Sequence, residues 1–417
     1  MIKRNILNTV KNLLELYPII LLTGARQVGK TTLVSQFQKE SNYKYISLDD
    51  KEILELAIKD PVKLLRDFSP PLIIDEVQKA TNLFDHITSI VNETRRTKGN
   101  KEANGMFILT SSLKYHSMKN VTESMAGRVA IIEMPPLSQS EINNQIENPF
   151  FIDSQSIEPI IKRSSYEYKI NQEDLFESII NGFYPINWTD QKIKPSVFYK
   201  NYLKTYLERD VSQLINLKDK NKFNSFIKLL ASSTANDFIP EKLANDIGVD
   251  KKTISSWTSI LEAGDIISLL EPYNEQSMSK RVSKKKRIYF NDTGLVCYLL
   301  NISSQRNITN KNKGKLVETY IFNEIKKSYL NNGVVYDFSY YRDSNQNEID
   351  LIIFNYDKGS LNLIECKSGT NYGLKDIKGF KQLQTTNYEI SGQTIICLTD
   401  EPYRLNGTTI VLPITAI

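Results

Sequence analysis

"YPIILLTGARQVGKTTLVSQF", residues 17–37, decides how this chain is read. The apolar run Ile19–Leu22 has strand length, Gly24-x-x-x-x-Gly29-Lys30-Thr31 follows at once, and a periodic apolar segment begins at Leu33. Strand, glycine loop and helix in that order predict a phosphate-binding loop. The glycines let backbone N–H groups converge on phosphate oxygens, and the helix start adds its positive end. Lys30 is expected to pair with β and γ phosphates, and the Thr31 hydroxyl to hold Mg2+. ATP and Mg2+ are the expected ligands, cradled by Gly24, Ala25, Arg26, Gln27, Val28, Gly29, Lys30, Thr31 and Thr32.

Hydrolysis needs a second acidic strand, and "PPLIIDEVQKA" supplies one. Leu72–Ile74 reads as a buried parallel strand with Asp75 and Glu76 at its carboxyl end, where ligands of such sheets sit. Asp75 is expected to support the Mg2+ shell and Glu76 to orient or deprotonate the attacking water. The competing reading is a helix N-cap pair. A third strand, "MFILTSS" at 106–112, ends in the hydroxyls of Thr110 and Ser111, placed either to sense the γ-phosphate or to form a plain turn. In "ESMAGRVAIIEMPPLSQSE", Arg128 precedes a fourth apolar run. It is a candidate catalytic arginine for its own or a neighbour's nucleotide, so a homo-oligomer is an open expectation; a solvated surface arginine is the alternative.

At 417 residues the chain exceeds one ordinary core, which predicts two to four domains. Hydrophobic residues at 40% and charged residues at 24% fit a globular protein. The net charge of +5 neither demands nor excludes nucleic acid, so local clustering decides. Three scattered cysteines without C-x-x-C argue against a disulfide framework and for a reducing, cytoplasmic setting. No leader or membrane span is read, and His86 and His116 are too isolated for a His-based metal site.

The glycine loop, "LIIDE", "LTSS" and "AGRV…PLSQSE" together resemble a prokaryotic family of AAA-type ATPases that carry a winged helix and a restriction-endonuclease-like domain. The likeness extends over nearly the whole chain, through "YLKTYLERDVSQL" (202–214) and "RIYFNDTGLVCYLL" (287–300). It implies an α/β fold: an AAA-type core at 1–145, a linker and helical lid at 146–219, a winged helix at 220–300 and the endonuclease-like domain at 311–417. One departure is Gly182-Phe183-Tyr184-Pro185-Ile186, where the family commonly has Gly-Gly-aromatic-Pro-Glu. Arg209 and Asp210 match the family's Arg-Asp pair, with a helix-surface ion pair as the plain alternative.

Residues 143–170 are polar and irregular, which suits a linker or a loop insertion, and helical periodicity returns at "EDLFESIING". A helix from Glu241, a turn at Gly248, an N-cap at Asp250 and a second helix ending at Gly264 have helix-turn-helix spacing. "DIISLL" and "KKKRIYF" are expected to flank a wing, and six of the eight residues Lys280–Arg287 are basic, enough to meet a DNA backbone or simply to face water.

The tail carries its own chemistry. "GKLVETYIFNEIKKSYL" reads as a helix with Glu318 near its start, followed by three strands that bear Asp350 and then Glu365-x-Lys367. This resembles the Asp…Glu-x-Lys pattern of endonuclease-like nucleases. It implies a second metal site of Glu318, Asp350 and Glu365, with Lys367 steadying a nucleophile. The expected function is a Mg2+-dependent ATPase coupled to a DNA-binding or nuclease-like tail. The alternative is a nucleotide switch that binds a partner protein and carries an inactive tail.

Overall fold

The computed structural model describes residues 2–114, 125–153, 171–190, 192–206, 220–273, 285–384 and 386–417. His116, Arg209, Asp210 and the basic residues Lys280–Lys284 lie outside the described residues.

Five short apolar runs make the first sheet: β1 (Ile19–Thr23), β2 (Lys44–Ser47), β3 (Leu72–Asp75), β4 (Phe107–Ser111) and β5 (Val129–Glu133). The order is β2-β3-β4-β1-β5 and every pairing is parallel. A sheet of this kind is covered on both faces, so its strands need continuous rather than alternating apolar residues. Ile19–Leu22 and Leu72–Ile74 are accordingly buried throughout. Each such side chain contributes about 1.5–3 kcal/mol on burial. The strand β2, "KYIS", escapes the sequence reading because its burial is mostly partial and its apolar run is short.

Among the described residues the second sheet has nine strands. They are β6 (Asn236–Asp237), β7 (Ile267–Pro272), β8 (Arg287–Phe290), β9 (Asp337–Arg342), β10 (Glu348–Asn355), β11 (Ser360–Cys366), β12 (Glu389–Cys397), β13 (Tyr403–Arg404) and β14 (Thr409–Pro413). Their order is β13-β14-β12-β11-β10-β9-β7-β8-β6. The helices Pro240–Ile247 and Lys251–Ala263 precede β7. Gly248 closes the first in the left-handed region, and the Asp250 side chain caps the second by accepting from Thr253 N. Strands β7 and β8 pair antiparallel, yet β7 also pairs in parallel with β9 through Glu271 opposite Ser339. The hairpin expected to stand out as a separate basic wing is thus continuous with the C-terminal sheet.

Another expectation changes at 143–153. The polar stretch is no loose linker where it is described: Phe150 and Ile152 are buried, Phe150 N donates to Ser328 Oγ, and Ile152 N donates to Asn362 Oδ1 at 2.7 Å. The helix Asn310–Asn332 receives this segment and touches the helix Ile6–Leu14, β8 and β11. It joins the two sheets.

Candidate functional site

The glycine loop crosses from β1 to the helix Lys30–Glu40 at the carboxyl end of the first sheet. Gly24 has φ +146°, and a Cβ there would stand 2.3 Å from the carbonyl oxygen of Met134. Only glycine lets the loop run so close to the chain after β5. Gly29 has φ +100° and starts the helix, so the amides that follow are open toward an anion. Lys30 is buried, and its Nζ donates to Gly24 O at 2.7 Å and Ala25 O at 2.8 Å. Burial pulls the Lys30 ammonium down to about 8, against the opposing pull of Glu76 and Asp75.

Strand β4 separates β1 from β3, and its terminal hydroxyls organise the acidic pair. Asp75 accepts from Thr31 Oγ1 at 3.0 Å, from Tyr45 Oη at 2.9 Å and from Thr110 Oγ1. Glu76 stands at φ +58°, its amide donating to Thr110 Oγ1 at 3.1 Å. Its Oε2 accepts from Ser112 Oγ at 3.1 Å and from Gln78 Nε2. The N-cap reading of this pair fails because neither side chain caps a helix: the short turn Val77–Lys79 has no side-chain cap bond. The Ser111 expectation shifts by one residue. Ser111 is fully buried and its hydroxyl exchanges bonds with Leu113, while Thr110 and Ser112 face the carboxylates. Sequence reading passed over Tyr45, Gln78 and Ser112; the alternation of β4 alone carries a signal for Ser112, two residues from Thr110.

A cleft of about 690 Å³ opens between the loop and the helical segment behind it. Arg26, Gln27, Lys30, Thr31, Thr32 and Glu76 line one wall; Pro185, Ile186, Thr189, Phe198 and Thr205 line the other. Ala25 and Val28 are buried beneath the loop. Pro185, Ile186 and Phe198 give the far wall an apolar surface beside Thr189 and Thr205. That wall is pinned from behind by Asp292, which accepts from Phe183 N at 2.7 Å, Tyr199 Oη at 2.6 Å and Leu295 N at 2.8 Å. The donors at the base of the near wall suit Mg2+, since Thr31 and the buried Asp75 behind it are hard oxygen ligands within a hydrogen bond of each other.

Arg128 lies elsewhere. It directly precedes β5, and its carbonyl accepts from Ile19 N at 3.2 Å, at the amino end of β1. The loop begins at the other end of β1, about 13 Å away at the usual rise per residue. The arginine bonds Asn92 Oδ1 at 2.7 Å and Ala126 O at 3.0 Å, on an exposed surface. The reading in which Arg128 serves its own nucleotide is corrected by strand polarity.

In the second sheet, Leu351 pairs with Ile364, so Asp350 and Glu365 are the next facing residues. Lys367 Nζ donates to Glu365 Oε1 at 2.6 Å, and Asp350 Oδ2 accepts from Cys366 N at 2.8 Å. Glu318 closes the group from the helix Asn310–Asn332, but a guanidinium lies among these carboxylates. Arg287 Nη1 stands 3.0 Å from Glu318 Oε1 and 3.1 Å from Asp350 Oδ1, Nη2 contacts Glu348, and the group lies 4.6 Å from the Tyr340 ring centre. Burial lifts Glu318 to about 7 and Glu365 to about 8, with Asp350 adding to both. Among the described residues no group of three or more His, Cys, Asp or Glu side chains is disposed to hold a metal ion. The expected metal set of Glu318, Asp350 and Glu365 does not fit a cation as arranged, because Arg287 already supplies the positive charge there. This also removes Arg287 from the basic wing: it is 2% exposed.

Residues 16–143 match the profile of a family described as an AAA domain. Residues 172–306 and 313–417 match two profiles described as domains of unknown function. An uncharacterized protein of Mycobacterium tuberculosis is 22% identical over 353 residues, covering 84% of this chain and 71% of its own. An uncharacterized protein of Methanocaldococcus jannaschii is 24% identical over 291 residues, covering 65% of this chain and 60% of its own. Among solved structures, the Walker-type ATPase of Pyrococcus abyssi aligns with TM-score 0.41 at 13% identity, covering 72% of this chain and 96% of that one. AMPPCP-bound DnaA of Aquifex aeolicus aligns with TM-score 0.30 at 17% identity, covering 62% and 85%. The profile match agrees with the glycine loop and the parallel sheet in supporting an AAA-type P-loop fold for residues 16–143. Among the described residues no helix is long and apolar enough to cross a membrane.

Proposed function

We propose that the chain hydrolyses ATP with Mg2+ at the cleft between the glycine loop and β3, and uses the cycle to act on nucleic acid held by its C-terminal half. One observation carries the first part: the Thr31 hydroxyl and the Asp75 carboxylate meet at 3.0 Å beside a buried Lys30, with Glu76 next in sequence. Thr31 and Asp75 would hold Mg2+, whose charge offsets that of the β and γ phosphates. Lys30 exchanges the carbonyls of Gly24 and Ala25 for phosphate oxygens. Glu76, held by Ser112 and Gln78, orients the water and takes its proton. Arg128, bonded to Asn92 and Ala126 at the surface, takes no part in its own chain's site; a role on a neighbouring copy's nucleotide or none at all is compatible with that position.

In this reading the C-terminal half holds rather than cuts, a role supported by Arg287 occupying the place among Glu318 and Asp350 where a nuclease would need a cation. Phosphate release by the full chain tests the reading. Glu76→Gln is expected to lower turnover at least about 100-fold while ATP affinity is retained. Duplex DNA is expected to raise wild-type turnover. Turnover unchanged in Glu76→Gln contradicts the catalytic assignment. Turnover indifferent to DNA, together with ATP-dependent capture of a protein, supports the switch instead.

A further inference from the structure

The charged residues that the helix-turn-helix offers a nucleic acid are mostly neutralised where they are described. Lys251 pairs with Glu241, Lys286 with Glu271, Lys285 with Asp237 at 4.0 Å, and Arg287 is buried. A different set of cations is not. A cleft of about 440 Å³ runs between the helices Lys220–Ser232 and Pro240–Ile247 on one side and the start of the helix Asn310–Asn332 on the other. Lys242, Lys311 and Lys315 line it together with Asp246, and Arg342 at its edge is paired with Asp237 at 3.4 Å.

Lys242 and Lys311 are exposed and have no carboxylate partner among the described residues. Lys315 is half-buried, donates to Ser232 O at the end of its helix, and likewise meets no carboxylate. Its ammonium is pulled below the usual lysine range, first by burial and next by the charge of Lys311, with Lys242 adding to it. Glu318 opposes that pull on Lys315, yet three like charges still gather on one cleft, and an anion placed among them lowers their mutual repulsion. Lys311 and Lys315 lie one helical turn apart, roughly 6 Å along the axis. Lys313 between them turns away, over the Phe176 ring.

We infer that this cleft, rather than the second helix or the hairpin, is where the chain grips the phosphodiester backbone of a nucleic acid. The inference rests on the nucleic-acid reading above and names its contact surface. The lining suits phosphate: Ser232, Ser233 and Asn236 add neutral donors beside the lysines. A protein partner needs an apolar or aromatic centre, and Phe238, Ile239, Leu229 and Leu243 form only the floor of a cleft rimmed by charge. Phosphate contacts position a duplex without reading its sequence, so binding here is sequence-tolerant and salt-dependent.

The test is fluorescence anisotropy of a labelled random-sequence duplex with the full chain across a salt series. Lys242→Ala/Lys311→Ala/Lys315→Ala is expected to weaken binding at least about tenfold and to reduce the slope of log affinity against log salt by about two to three. Lys242→Ala/Lys311→Ala spares the half-buried Lys315, so it separates lost contact from lost folding, and is expected to reduce the slope by about two. Lys252→Ala on the second helix is expected to stay within about twofold of wild type. If wild type binds duplex and the cleft variants bind it equally well, the cleft is overturned and the broader reading stands. If Lys252→Ala carries the loss instead, the second helix is the contact and the cleft is overturned. If wild type binds no duplex while inorganic phosphate protects it from thermal unfolding, both the cleft assignment and the broader reading fall.

Discussion

Glu147 shows how much a single buried carboxyl contributes. It accepts from Asn331 Nδ2 at 2.6 Å and Ser138 Oγ at 3.2 Å, and burial lifts it from the ordinary 4.5 to about 7. The folded chain therefore keeps a proton that the unfolded chain releases near 4.5. The stability this proton provides is complete below the ordinary value and is lost as pH rises through the folded one. From about pH 5 to pH 8 the wild type is expected to lose on the order of 3 kcal/mol more than Glu147→Gln, read by urea unfolding at each pH. Glu318 and Glu365 act in the same direction, so the variant's slope is reduced rather than flat. Equal slopes contradict the assignment. At this scale the meeting of Thr31 with Asp75 was legible, because a glycine loop after one apolar run and an acidic pair after another both fall at the carboxyl end of a parallel sheet. Arg287 was not: a basic run looks solvated in sequence, and only the pairing of β7 with β9 shows that its last member turns inward.

Elements were legible in kind and less so in placement. Apolar runs gave β1, β3, β4 and β5, and Gly248 with Asp250 gave the helix-turn-helix, because caps and periodicity are local signals. Strand order is not local, so the sequence did not reveal that Arg128 sits at the amino end of the sheet or that β12 and β14 extend the second sheet. The motif "FNDTG" becomes intelligible only as a joint between elements. Asp292 ties the segment after the helix Gln172–Asn181 to the helix Thr293–Leu299. A Cβ on Gly294 would stand 2.4 Å from Tyr199 Oη and 2.6 Å from Gly182 Cα. Gly294→Ala is expected to destabilise the chain by about 2–3 kcal/mol, since backbone lies on one side of the clash. A urea midpoint equal to wild type contradicts this joint.

Across the whole molecule, the loop that follows β4 links the two sheets. Ser112 holds Glu76, and two residues on, Lys114 N donates to Ala263 O at 2.8 Å. Lys114 Nζ reaches Asp265 at 3.0 Å, and Lys326 reaches Glu133 at 2.9 Å. The two lysines hold Glu133 down near 2 against the burial that favours its neutral form. These charges, partly buried at Lys114 and Glu133 and buried at Asp265 and Lys326, tie the first sheet to the helix-turn-helix and to the helix Asn310–Asn332, a contiguous path from the acidic pair to the proposed nucleic-acid cleft. All of this depends on ATP with magnesium occupying the glycine loop. Isothermal titration of the full chain with ATP, with and without Mg2+, tests that most directly. One site per chain is expected, lost in Lys30→Ala, with the gain from Mg2+ abolished in Thr31→Ala. No binding by wild type, or equal binding by Lys30→Ala, contradicts the account.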